Sequence, residues 1–99
     1  MHARSGSFEL STDKLQEAVD AFKDNDLPKY KDQGGYKGFI LLVNRQNGKM
    51  HGVSFWENES DIQASDELGS TARQRIQDLA GGEAAIERED WEVVVDDEA

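Results

Sequence analysis

Apolar residues recur along this chain at two spacings, and the switches between them mark its elements. Leu15, Ala18, Val19 and Phe22 stand three and four apart, which makes one stripe of a helix. Ser11 or Thr12 offers its N-cap and Asp13 suits its first turn. Pro28 fits its end, because the residue before a proline is pushed out of helical geometry. Ahead of this helix, Ser5 to Leu10 reads as a short strand with Phe8 and Leu10 on one face. Beyond the Gln33-Gly34-Gly35 loop, Tyr36 to Asn44 and Lys49 to Trp56 read as strands. Asn47-Gly48 between them signals a hairpin, since a type I′ turn needs positive φ at both central residues. Taking that pair as the turn sets Gln46 against Lys49 and Asn44 against His51. One face then carries Ile40, Leu42, Asn44, His51, Val53 and Phe55. The other carries Phe39, Leu41, Val43, Met50, Gly52, Ser54 and Trp56.

Helical spacing returns after the hairpin. Asn58 caps a helix with Glu59 and Asp61 in its first turn, and Ile62, Ser65 and Leu68 or Gly69 give it a weak apolar side. Gly69-Ser70 is expected to interrupt it. Ser70 would cap a second piece with Ala72, Ile76, Leu79 and Ala80 inward, and Gly81-Gly82 would end it. Glu83 to Val95 supplies the last strand, strongest over Trp91 to Val95, and both His2 and the tail from Asp96 are expected to be disordered or frayed.

The order β-α-β-β-α-β predicts an α+β, ferredoxin-like fold: a four-stranded antiparallel sheet with two helices on one face. At 99 residues the chain is read as a single domain, 1–99, with a small private core. The helices cover one face only, yet Phe39-Ile40-Leu41-Leu42-Val43 has no polar side, whereas a half-solvated antiparallel sheet alternates. Left in water, Phe39, Leu41, Val43 and Met50 would form an apolar patch, so they are assigned to a homodimer interface, sheet against sheet, with a different partner or a long ordered terminus as the alternative covers.

Charge narrows the partners. With 21 acidic and 11 basic residues the formal charge is −10, a field that repels nucleic acid and anionic membranes. The opening residues MHARSGSF lack the apolar core of a signal peptide, so the cytoplasm is the expected location. There is no cysteine, and His2 and His51 are far apart without HExxH spacing, so no metal site is expected. No Ser-His-Asp or Cys-His arrangement and no Gly-rich phosphate loop occurs, and no catalytic residue is assigned.

The block Gly34 to Ser65 resembles the antibiotic-biosynthesis-monooxygenase-like family of dimeric α-β barrel proteins. Tyr36-Lys37-Gly38-Phe39 stands where that family has a Gly-aromatic opening to its second strand, Asn47-Gly48 where it has a glycine turn, and Trp56-Glu57-Asn58-Glu59 where a strand ends in Trp-Glu before an acidic helix start. The family includes cofactor-independent oxygenases of polyketide phenols, haem-degrading enzymes and members without known activity. Haem-degrading members use an Asn on the first strand, a Trp ending the third and a His on the following helix. Trp56 matches the Trp, but the first strand has no Asn and no His follows His51, so no haem or other cofactor is expected.

The pocket is expected between the first helix and the sheet, lined by Phe22 and Phe55, with Ala64 and Ser65 leaving room. Trp56 is the leading site residue, through an indole N–H that donates while the ring stacks, with a plain packing role as the alternative. Strict alternation sets Trp56 on the partner-facing side, whereas the resemblance sets it at the pocket. Tyr30 and Tyr36 flank the loop after the first helix and could rim the pocket, and His51 could orient a ligand. Glu87, Glu89, Asp90 and Glu92 read as a solvated strand face, and Trp91 as core or interface. Two functions stand: a dimeric module binding a small hydrophobic or aromatic molecule, or a cofactor-independent monooxygenase of a phenolic or polyketide-like substrate.

Overall fold

The computed structural model describes residues 1–80 and 87–97. Strands β1 (His2–Glu9), β2 (Tyr36–Asn44), β3 (Lys49–Trp56) and β4 (Glu87–Glu92) form one sheet in the order β2-β3-β1-β4, with each neighbouring pair antiparallel. With helices packed on one face, this is the expected ferredoxin-like α+β fold. Among the described residues no helix is long and apolar enough to cross a membrane.

β1 starts three residues earlier than its apolar pattern, and His2 is its first residue, opposite Trp56 and Glu92, rather than disordered. A central strand has its backbone paired on both sides, so it needs less apolar patterning to be held. β4 differs in the other direction: it ends at Glu92, and Val94 and Val95, expected in its strongest part, are exposed. The Val93 N–H donates to the Met1 carbonyl at 2.9 Å, one residue beyond the last strand residue. The expected helix end at Gly81-Gly82 and the strand start at Glu83 lie outside the described residues.

The hairpin is not closed by a type I′ turn. Asn44 faces Lys49 across a four-residue loop, 45–48, in which Gly48 alone has positive φ, at 78°. The Gly48 N–H donates to the Asn44 carbonyl at 2.9 Å, and the Asn44 and Asn47 side-chain oxygens accept from the N–H groups of Gln46 and Lys49, each at 3.0 Å. Asparagine thus acts here through its side chain, as an Asx turn, rather than by adopting left-handed geometry. The register moves by two, to Leu42 opposite His51, which returns every side chain to its expected set.

The orientation of those sets is the reverse of the expected one. Met50 and Trp56 are 1% and 0% exposed beneath the helices, and Phe39, Leu41 and Val43 pack with them. Phe39, Leu41, Val43 and Met50 are therefore core residues, not the surface of a sheet-to-sheet seam. The open face carries Ile40, Leu42 and Trp91, at 49%, 54% and 52% exposure, with Val53 and Phe55 half-buried. Period-two alternation separates two apolar sets but carries no sign. The bulkier set, with Trp56 and Phe39, is the one that fills the layer under the helices.

The first helical segment runs through Pro28 instead of stopping there. A 3-10 turn (Thr12–Lys14) leads into α1 (Leu15–Ala21), a π turn (Phe22–Asp26) and α2 (Leu27–Lys31). In the π turn the Leu27 N–H reaches the Phe22 carbonyl, five residues back, and Pro28 falls in the first turn of α2, where a missing N–H costs little. The extra residue also restores phase. Eight positions containing one wide turn amount to two ordinary turns, so Tyr30 lies on the face of Phe22, with ring centroids 5.9 Å apart. Buried Asp26 in that turn accepts two hydrogen bonds from Arg75, at 3.2 and 3.4 Å.

After the hairpin come α3 (Glu59–Ala64) and α4 (Asp66–Leu79). Asn58 and Asp61 form a reciprocal capping box at the start of α3. The break falls at Ser65, whose Oγ–H donates to the Ile62 carbonyl at 2.7 Å, and Gly69-Ser70 lies within α4. One buried cluster holds Leu10, Leu15, Ala18, Met50 and Ile76, and a second holds Phe22, Tyr30, Trp56 and Ile62.

Candidate functional site

The layer between helices and sheet is not completely filled. A cavity of about 80 Å³ lies between the two buried clusters. Its floor is made by an unusual cross-strand pair, Gly6 of β1 directly opposite Gly52 of β3, both on the helix-covered face. A Cβ added at Gly6 would meet nothing within 4 Å, whereas one at Gly52 would come within 3.1 Å of the Phe39 ring. Isolated strand glycines lose packing and entropy, so a facing pair is costly unless the space has a use. Phe39 leans over this floor and stacks with Phe22 at 4.6 Å and Tyr30 at 5.3 Å between centroids, forming one aromatic wall. Gly69, Ala72, Arg73 and Ile76 of α4 close the roof with Ser65.

The polar residues on this lining are Ser5, Ser54, Ser65, Tyr30, Arg4, Arg73 and Arg88. Among the described residues no Asp, Glu or His lines it. Burial, with the nearby Asp26 carboxylate, raises the Tyr30 phenol above its ordinary value, so it stays protonated at neutral pH with an O–H available to a ligand. Arg4 donates to Asp90 at 2.7 and 3.1 Å and to Asp66, tying β1 to β4 and α4. Both carboxylates are held below their usual range, first of all by those hydrogen bonds. Burial pushes Arg73 down from its ordinary value, and Arg88 beside it adds to the effect.

Of the residues expected at the pocket, Phe22 and Tyr30 line it. Trp56 does not. It lies wholly buried beneath the lining and donates its Nε1–H to Ser54 Oγ at 2.8 Å, so Ser54 is the group that faces the cavity. Tyr36 packs edge-on against Trp56 at 5.9 Å and stays outside the lining. Phe55 and His51 belong to the opposite, open face, where His51 Nδ1 is hydrogen-bonded to Ser7 Oγ. Ala64 borders an outer surface depression instead. Phe39, Leu41 and Met50, expected at a seam between copies, line the cavity. Sequence reasoning missed the three arginines and the glycine pair. The available signal was Gly6 and Gly52 themselves, lone glycines inside strand patterns.

A haem, which the resemblance raises, does not fit these residues. Both histidines lie in strands, His51 facing away from the cavity, and helices α3 and α4 carry none. A volume of about 80 Å³ is also far below a macrocycle's. Among the described residues no group of three or more His, Cys, Asp or Glu side chains is placed to hold a metal ion.

No protein-family model matches the chain. An uncharacterised protein of Mycobacterium tuberculosis is 29% identical over 93 residues, which cover 94% of this chain and 41% of that protein. The chain thus spans about two fifths of the length of the curated relatives it matches. Among solved structures it is similar to a protein of Deinococcus radiodurans described as an antibiotic biosynthesis monooxygenase, at TM-score 0.74 and 13% identity, covering 100% and 98% of the two chains. A dimeric ferredoxin-like protein from an uncultured marine organism follows at 0.73 and 11%, covering 99% and 91%. A haem-degrader of Mycobacterium tuberculosis, solved with two haems in its active site, matches at 0.70 and 20%, covering 99% and 100%. The chain therefore has the fold of the antibiotic-biosynthesis-monooxygenase-like proteins, as the Tyr36-to-Glu59 motifs implied.

Proposed function

We propose that this protein binds a small hydrophobic or aromatic molecule in the cavity between helices and sheet, and does so as a homodimer. The observation that carries the binding reading is the floor: Gly6 leaves open space in a layer where any larger side chain would have gained packing. A dry cavity of roughly 150 Å³ takes benzene. At about 80 Å³ this one holds a group of a few heavy atoms as it stands. A whole ring is admitted if Met50, the most adaptable lining side chain, changes rotamer. Among the described residues the lining supplies hydrogen-bond donors and no Asp, Glu or His to act as a general base, which supports reading it as a binding site.

Gly6→Val tests the cavity. Gly6 has no positive φ, its new side chain enters empty space, and a β-branched residue suits a strand. Thermal stability is expected to be kept or raised, while saturable quenching of Trp fluorescence by small phenols disappears. Equal binding by wild type and Gly6→Val would place the ligand elsewhere, and no saturable binding by wild type would end the reading.

The dimer is assigned to the open face, where Ile40, Leu42 and Trp91 leave half their area in water. An antiparallel sheet with one solvated face ordinarily alternates apolar and polar, and this one does not. The dimeric ferredoxin-like protein of the same fold supports a dimer. Leu42→Asp costs a lone chain little, because the side chain is already 54% exposed, but would bury a carboxylate in a dimer. Sedimentation is expected to give a wild-type dimer at tens of micromolar, as for an interface of standard size, and a folded Leu42→Asp monomer. A monomeric wild type overturns the assignment. Leu41→Asp, by contrast, should unfold the chain, since Leu41 packs under the helices.

A further inference from the structure

We propose that the ligand of this cavity is an organic oxyanion, its apolar body over Gly6 and its acidic group held at the mouth by Arg73 and Arg88. The proposal rests on the binding reading above and names the ligand class. Arg73 and Arg88 line both the cavity and a shallow outer depression formed with Ser70, Gln74 and Gln77, which places them where the cavity opens.

Charge makes the arrangement informative. The chain carries 21 acidic residues against 11 basic ones, yet three guanidinium groups and no described carboxylate line this one cavity. Arg4 is neutralised by Asp66 and Asp90. Among the described residues neither Arg73 nor Arg88 has an ion-pair partner; Asp66 acts on both and Asp90 on Arg88, but these carboxylates are engaged by Arg4. Arg73 is half-buried beside a second cation, an arrangement that works against the fold until an anion joins it.

The geometry suits an oxyanion. A Cβ built on Gly69 would lie 3.1 Å from Arg73 Nη1 and 3.7 Å from the Tyr30 hydroxyl, so these two donors converge over the bare backbone of this glycine. A guanidinium offers a carboxylate two parallel N–H groups, and a protonated phenol adds a third donor. Carboxylates and phenolates or enolates share this chemistry.

Matched probes test it. Benzoate and benzamide, isovalerate and isovaleramide, and 4-nitrophenol above and below its own pKa are titrated against wild type, Arg73→Met and Arg88→Met by calorimetry. In wild type each anion is expected to bind about tenfold or more tighter than its neutral counterpart, as charge-assisted hydrogen bonds do, with the advantage shrinking at high salt. Arg73→Met should abolish the advantage and melt no lower than wild type, because it removes an unpaired charge from a half-buried site. The nitrophenol arm separates phenolates from carboxylates. Equal affinity of acid and amide overturns the anion proposal and leaves the cavity reading intact, whereas no binding of any probe removes both. An anion advantage that survives in both variants, or a lowered melting temperature in Arg73→Met with the advantage kept, overturns the role given to these arginines.

Discussion

Gly48→Ala is expected to lower the melting temperature by roughly 10–20 °C, a large loss for one methyl group in a hairpin loop. Two costs combine. The position has φ of 78°, which costs an L-residue about 1–2 kcal/mol. A Cβ there would also lie 1.9 Å from the Leu10 carbonyl oxygen, so the hairpin tip must move off the end of β1. That movement breaks the hydrogen bond from the Leu10 N–H to the Gly48 carbonyl, now 2.9 Å long and worth about 1 kcal/mol net. The sum is about 2–3 kcal/mol, and each kcal/mol shifts the midpoint of a domain this size by roughly 4–8 °C. Asn47→Ala is the control. Asn47 has no positive φ and contributes one side-chain acceptor to the Lys49 N–H, so its loss should cost about 1 kcal/mol or less. Thermal unfolding followed by circular dichroism decides. Equal small effects at the two positions would mean that the loop does not dock on Leu10.

The same loop shows how much of the architecture was legible. Asn47-Gly48 marked the hairpin, but the dipeptide does not distinguish a two-residue turn from a four-residue loop in which the Asn side chains replace backbone partners. The resulting shift of two residues left the face sets unchanged, because side chains repeat every second residue. What the pattern could not supply was which set faces the helices. Phe39, Leu41 and Val43 on one side and Ile40 and Leu42 on the other are equally apolar, and only packing against Phe22 and Tyr30 chooses between them. Trp56 held the answer. Alternation runs unbroken through Met50, Gly52, Ser54 and Trp56, and the family resemblance had put Trp56 on the helix side, so the whole set belonged there. Pro28 and Gly69 misled for one reason: each breaks an isolated helix, but a π turn absorbs the first, and packing over the cavity holds the second inside α4. The arginines of the cavity were not legible because Arg4, Arg73 and Arg88 come from a strand, a helix and another strand, and no local pattern announces their convergence.

Replacing Trp56 by Ala is expected to cost about 3–5 kcal/mol, the range for removing a fully buried large aromatic side chain. Trp56 is 0% exposed, with Tyr30 and Tyr36 at 6.1 and 5.9 Å between centroids and Ile62 in the same cluster, so no solvent-facing side can relax into the void. That is a fifth or more of the stability of a typical domain, about 5–15 kcal/mol. Trp56→Phe separates volume from polarity. It keeps most of the ring but removes the donor to Ser54 Oγ, and Ser54 retains a contact to the Arg4 carbonyl at 3.4 Å, so about 1 kcal/mol is expected. Trp91→Ala is the contrast on the open face. The residue is 52% exposed and its Nε1–H donates to Ser5 Oγ at 2.8 Å, so a lone chain loses half a side chain's burial and one hydrogen bond, about 1–2 kcal/mol, and any larger loss should depend on protein concentration because it reports assembly. Urea unfolding at two protein concentrations, followed by circular dichroism so that the missing indole does not bias the signal, distinguishes these cases. A Trp56→Ala variant within about 1 kcal/mol of wild type would contradict a core built on this residue, since such a value belongs to surface substitutions. A Trp91→Ala loss that is large and independent of concentration would show that the open face is stabilised within one chain, leaving no reason to pair it with a second copy.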